Sequence, residues 1–138
     1  MLEFNLFLID YWYFSVPLFF FIFLFAYSEM NKGGKKIEPN ELTRLVNKEN
    51  AILIDLRKKE DYENGHIMTA LNYPHQEFDN QMHELNKFKD RPIILVCDMG
   101  RNSANVGEEL KKAEFKKIFR LNGGMMTWTQ ENLPVVQK

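Results

Sequence analysis

A single cysteine among 138 residues rules out an internal disulfide framework, which agrees with a reducing compartment. No Lys or Arg precedes the long apolar run near the N-terminus, and this argues against a cleaved signal peptide, whose leading region is normally positive. There is no basic stripe with interleaved aromatics, so nucleic acid is not expected as a partner. Nowhere are His, Cys, Asp and Glu spaced as metal ligands, and no metal is expected. Internal repeats and low-complexity tracts are also missing.

What is present begins with LFLIDYWYFSVPLFFFIFLFAY, residues 6–27, which carries one charge, Asp10. At about 1.5 Å per residue this run would cover roughly 33 Å as a helix, enough for the hydrocarbon core of a bilayer. Tyr11, Trp12 and Tyr13 crowd one end and Tyr27 marks the other, as interfacial rings do. Pro17 is tolerated in a spanning helix. A buried core helix would show a polar face, and this one has none. Glu3 and Asp10 lie towards its N-terminal end while Lys32, Lys35 and Lys36 follow it, so the positive-inside rule places the C-terminal part in the cytoplasm. The expected organisation is a single-pass inner-membrane anchor at 1–28, a flexible linker at 29–36 built around Gly33-Gly34, and one domain at 37–138.

Within that domain, Ala51–Leu56 and Pro92–Cys97 are nearly continuous in apolar residues, as in strands covered on both faces of a parallel sheet. Weaker strand candidates are Lys36–Glu38, Ala70–Tyr73 and Lys117–Leu121. Helical patterns lie between them: Pro39–Asn47, a stretch carrying Phe78, Met82, Leu85 and Phe88, then Ser103–Phe115, and Met125–Asn132 ending before Pro134. Alternation of this kind predicts an α/β fold with helices on both faces. In such sheets ligands bind beyond the carboxyl ends of the strands. Cys97 stands at that end of the strongest strand.

The loop Cys97-Asp98-Met99-Gly100-Arg101-Asn102 leads into the helix expected from Ser103. Its backbone N–H groups can form a concavity for an anion, and Gly100 permits the left-handed backbone such a curve needs. Ser103 can cap the helix, whose positive end aims at the same place. With Arg101, these features favour a thiolate over a thiol at Cys97, making it a candidate nucleophile. A cysteine phosphatase would need Arg six positions after the nucleophile; here that position is Ser103, and the shorter cradle suits a smaller anion such as the terminal sulfur of a persulfide. Asp55 and Arg57 read as a structural pair, and His66 as a hydrogen-bonded structural histidine. His75 and His83 are expected to face solvent. Gly123-Gly124 reads as a turn rather than a phosphate loop, and Trp128 as core. Met125 and Met126 suit either the rim of a cleft or the core.

Asp55-Leu56-Arg57, the run Glu63-Asn64-Gly65-His66-Ile67 leading to Ala70-Leu71-Asn72, the loop CDMGRNS, and Gly123-Gly124 followed by Trp128 together resemble the rhodanese family. The likeness covers about Ile37 to Leu133, and with the apolar run the chain looks like the membrane-anchored single-domain bacterial type. The resemblance implies a rhodanese-like parallel five-stranded sheet flanked by helices and preceded by one N-terminal transmembrane helix. It implies sulfurtransferase chemistry without a cofactor. Cys97 would be catalytic, taking sulfane sulfur from a small donor such as thiosulfate or a persulfide. Asp98, Met99, Gly100, Arg101, Asn102 and Ser103 would bind the substrate, and the sulfur would pass to a thiol, cyanide or a protein acceptor. Three positions depart from the family pattern. Thr69 stands where Gly is usual, a change expected to alter only a turn. Asp98 puts a negative charge in the loop, and Asn102 stands where many members carry a second Arg or another polar group; these two point to weak activity towards thiosulfate or a shifted donor preference.

Overall fold

The computed structural model describes residues 1–137, so the last residue of the expected domain lies outside it. The chain forms two compact units, Met1–Asn31 and Lys32 onward. In the first unit, the expected single helix is two: α1, Leu2–Asp10, and α2, Trp12–Met30. They part at Tyr11, whose ψ of 34° leaves the helical range. Asp10, the one charge of the apolar run, therefore ends α1 and falls outside α2. With 19 residues and a mean hydropathy of 1.5, α2 is long and apolar enough to cross a membrane.

The second unit is built on a five-stranded, wholly parallel sheet in the order β1-β5-β4-β2-β3. Its strands are β1 (Lys35–Ile37), β2 (Ile52–Asp55), β3 (Leu71–Asn72), β4 (Ile93–Val96) and β5 (Ile118–Leu121). All four residues of β4 are buried, because both faces of the sheet are covered. On one face, α3 (Pro39–Lys48) and α7 (Gly124–Gln130) pack Leu42, Leu45, Met125 and Trp128 against Leu53, Ile94, Val96 and Leu121. On the other, α6 (Arg101–Lys112) packs Val106 and Leu110 against Ile93, Leu95, Cys97 and Ile118. Phe78 and Leu85 complete that second layer.

The local differences from expectation have physical causes. The Phe78–Phe88 stretch is not one α-helix but a four-residue α5, Phe78–Gln81, followed by a 3-10 helix over Met82–Phe88. Met82, Leu85 and Phe88 are spaced by three, and a 3-10 helix places such residues on one face. An unexpected short helix, α4 (Lys59–Asn64), comes from the sequence KEDYEN, which is polar all round and has no apolar period to reveal it. Thr69 has φ +73°, the left-handed region that a β-branched residue rarely occupies. Such strain is of order 1–3 kcal/mol, partly offset by glycine's greater freedom in the unfolded chain. Thr69→Gly is therefore expected to raise stability by about 1 kcal/mol in urea unfolding; an unchanged midpoint would show the position to be unstrained.

The expected flexible linker is also corrected. Gly33 and Gly34 are buried, and a β-carbon at Gly107 of α6 would overlap the Gly33 carbonyl, so the two backbones touch. The Gly33 N–H donates to Glu108 Oε1 at 2.6 Å, and the Gly34 carbonyl accepts from Arg120 Nε at 3.1 Å. The glycines serve close approach here, not freedom.

That strap has a pH signature. The hydrogen bond from Gly33, aided by Lys111 and Lys32 and opposed by slight burial, holds the Glu108 carboxyl below its ordinary 4.5. A carboxylate depressed in the folded state contributes stability above its unfolded pKa and loses it as pH falls through the folded value. Glu108→Gln is thus expected to flatten the decline in stability below pH 4.5, as read by chemical unfolding at a series of acid pH values. A decline as steep as wild type would remove Glu108 from the account.

Candidate active site

The carboxyl ends of β4, β2 and β5 converge on Cys97. The thiol is buried, at 2 % exposure, on the α6 face of the sheet. Yet a polar group reaches it: the Gly100 N–H donates to Cys97 Sγ at 2.9 Å. Gly100 has φ +89°, and this left-handed residue folds the loop back so that its amide meets the sulfur.

Ser103 does not cap the helix as expected. Helix α6 starts two residues earlier, at Arg101, with Gly100 as its N-cap. Ser103 consequently lies inside the first turn, where its Oγ donates to the Gly100 carbonyl at 2.9 Å and fastens the turn. The first amides of α6 have no partners within the helix, and its positive end faces the loop that holds the thiol.

The remaining residues of this segment lie at the surface. Asp98, Met99, Arg101 and Asn102 are exposed, Met99 at 51 %. Arg101 makes no hydrogen bond or ion pair among the described residues. An open depression of about 380 Å³ between the loop and α7 is lined by Asp98, Met99, Met125, Met126, Thr129 and Gln130. Met125 and Met126 divide the two roles left open for them: Met125 is buried in the core and Met126 is 47 % exposed at the rim. A larger hollow of about 780 Å³, around Lys58, Tyr62, Asn72 and Gln81, lies elsewhere and offers no cysteine, serine or histidine.

Gly123-Gly124 does more than turn the chain. The Met125 N–H donates to the Cys97 carbonyl at 2.8 Å and the Met126 N–H to the Asp98 carbonyl at 3.0 Å. A β-carbon on Gly124 would overlap the Cys97 carbonyl. The start of α7 thus holds the loop's carbonyls, which leaves the Gly100 amide free to face the sulfur. No local signal in the sequence announces this support.

Asp55 and Arg57 pair as expected. Arg57 Nη2 donates to Asp55 Oδ2 at 2.8 Å and to the Gly65 carbonyl at 2.7 Å, with Asp55 1 % exposed. Burial works to lower the guanidinium's pKa, but the hydrogen bonds and charge of Asp55 outweigh it and hold it above the ordinary value. His66 is structural too, its Nδ1 2.7 Å from the Tyr62 carbonyl and its ring stacked on Tyr62. Trp128 is core, with Nε1 donating to the Pro134 carbonyl. One group near the thiol escaped the sequence reading altogether, the buried Arg120.

A thiol at the end of a central parallel strand, met by a loop amide and a helix start, defines a cysteine-loop protein of the α/β class. The particular family follows from comparison. The Rhodanese-like domain model matches residues 38–131, and the chain belongs to that family. Among its relatives, the YibN protein of Escherichia coli (strain K12) is 35 % identical over 88 % of this chain and 86 % of its own length. Thiosulfate sulfurtransferase GlpE of Coxiella burnetii (strain RSA 331) is 30 % identical over 68 % of this chain and 86 % of its own. The crystal structure of a rhodanese-related protein from Thermoplasma volcanium shares the fold, with a TM-score of 0.68 and 24 % identity, covering 75 % of this chain and 99 % of that one.

Proposed function

We propose that the chain is a membrane-anchored sulfurtransferase that carries sulfane sulfur on Cys97. The observation that carries this reading is the Gly100 N–H directed at Cys97 Sγ at 2.9 Å, in a loop closed by the start of α6. That donor stabilises a thiolate, and it is equally suited to a persulfide anion. Cys97 attacks the outer sulfur of a donor such as thiosulfate or a persulfide; the S–S bond of the donor breaks and sulfite or a thiolate leaves with the electron pair. The enzyme persulfide then yields its outer sulfur to cyanide, a small thiol or a protein thiol, and the Cys97 thiolate returns. Cys97 is the one cysteine of the chain, so the acceptor is a second molecule.

Helix α2 is the proposed anchor, and the lysines at 32, 35 and 36 that follow it support, by the positive-inside rule, a domain on the cytoplasmic side of the inner membrane. The exposed loop residues Asp98, Met99, Arg101 and Asn102 then contact the donor, while Gly100 and Ser103 shape the bowl.

Mass spectrometry of the full chain tests the reading. After treatment with thiosulfate or a polysulfide, a gain of one sulfur mass on the peptide holding Cys97 is expected, and prior alkylation should block it. A second reading, a docking module without turnover, is favoured by the near-complete burial of Cys97. It requires an unchanged mass with every sulfane donor.

A further inference from the structure

Arg120 is a charged group that sulfur transfer, as described, leaves without a role. It lies in β5 opposite Leu95 of β4. Strand alternation puts it on the same face as Ile118, which clusters with Leu95, Cys97, Val106 and Leu110. Its side chain therefore lies beneath α6 and the cysteine loop. It also lines a small cavity of about 150 Å³ together with Met99, Gly100, Ser103 and Gly123.

Arg120 as a residue is only 5 % exposed. Nε donates to the neutral Gly34 carbonyl, and no carboxylate forms an ion pair with it among the described residues. A buried cation without a counter-charge is strongly disfavoured. Burial accordingly lowers the pKa of Arg120, and the groups that oppose this when they are ionised are Cys97 first and then Glu108. Glu108 is already engaged by the Gly33 N–H and Lys111.

We propose that Arg120 is a positioning residue whose buried guanidinium is the counter-charge of the Cys97 thiolate, acting from beneath the loop. The other charges around the thiol are weaker candidates for this work. Asp98 and Arg101, in the loop, are exposed and opposite in sign, so water and salt screen them. Arg57, beyond β2, is neutralised by Asp55 and lies within the field of Asp98. Lys36 of β1 lines the same cavity but is exposed, and α7 contributes no charged residue. Arg120 is the cation that solvent does not screen.

The inference rests on Cys97 being the reacting group, as proposed above. Thiolate formation is nonetheless measured without any sulfur donor, so failure of sulfur transfer and failure of this inference are read separately. The experiment follows iodoacetamide alkylation of Cys97 against pH, with thermal melting, for the full chain in detergent micelles. In Arg120→Met the midpoint of alkylation is expected about one pH unit higher, making the reaction about tenfold slower at neutral pH. Its melting temperature should be equal or higher, because an apolar chain of similar length replaces a buried cation. A purely structural Arg120 would give the opposite pair, a lower melting temperature with an unmoved midpoint. Arg120→Lys keeps the charge and should keep most of the wild-type midpoint. A wild-type midpoint in Arg120→Met overturns the inference, as does Arg120→Lys reacting as slowly as the methionine variant. Should Arg120→Met not fold, the 15N resonance of Arg120 Nε in the wild-type chain decides. It must shift with the Cys97 titration and stay flat in Cys97→Ser; a flat signal in wild type sinks the proposal.

Discussion

Cys97→Ser is expected to bring sulfur transfer down to the uncatalysed background while the domain stays folded. A serine hydroxyl at neutral pH is not ionised, and an oxygen in this place cannot hold a sulfane sulfur as a persulfide does. The Gly100 N–H would still find an oxygen acceptor where it now meets Sγ at 2.9 Å. Burying a hydroxyl in place of a thiol among Leu95, Val106 and Ile118 costs about 1–2 kcal/mol, well short of unfolding a domain of ordinary stability. Thiocyanate release from thiosulfate and cyanide measures the loss, and circular dichroism checks the fold. Residual turnover of more than a few per cent of wild type would move the chemistry away from Cys97. By contrast, Arg101→Ala, which removes an exposed and unpaired charge, should alter the apparent affinity for an anionic donor more than the turnover of the loaded enzyme.

Asp55→Ala is the substitution expected to cost the most stability. Asp55 and Arg57 are 1 % and 9 % exposed as side chains, and removing the carboxylate leaves a buried guanidinium with the Gly65 carbonyl as its remaining hydrogen-bond acceptor. Breaking a buried pair from one side costs about 3–5 kcal/mol. For a domain of this size that corresponds to a fall of roughly 10–20 °C or more in melting temperature. The double variant Asp55→Leu/Arg57→Met separates pairing from packing, because replacing both charges by apolar groups of similar volume is often neutral. It should melt near wild type. A single variant no worse than the double one would show that the pair contributes nothing particular.

How much of this was legible beforehand varies with the distance over which residues act. The five strands lie within a residue or two of the expected ends; β2 and β4, covered on both faces, leave a continuous hydrophobic signature, while the edge strands β1 and β3 leave only a weak one. The pairing of Asp55 with Arg57 and the structural place of His66 were readable because their partners sit within a few residues along the chain. Ser103 is not the cap because Gly100, in the αL conformation directly before Arg101, lets the helix begin at Arg101 without a side-chain cap. Helix α4 was missed for want of an apolar period, and the glycine pair at 33–34 was read as flexible because freedom and close contact require the same residue.

By itself, the sequence determined the alternation of strands and helices, the position of Cys97 at the end of a central strand, the apolar helix before the domain and the family. All are properties of short windows, where periodicity and side-chain chemistry act between near neighbours. Only the tertiary structure decided which cation is buried on the α6 side of the sheet, which amides hold the cysteine loop and where residues 33 and 34 go. Arg120 meets the Gly34 carbonyl across 86 positions of sequence, and the amides of Met125 and Met126 reach back to Cys97 and Asp98. Contacts of that range follow from sheet order and helix packing, which no local pattern encodes. For the same reason the exposed Arg101 is visible from its place beside the loop in sequence, whereas the buried Arg120 is brought to the α6 side of the sheet only by the pairing of β4 with β5.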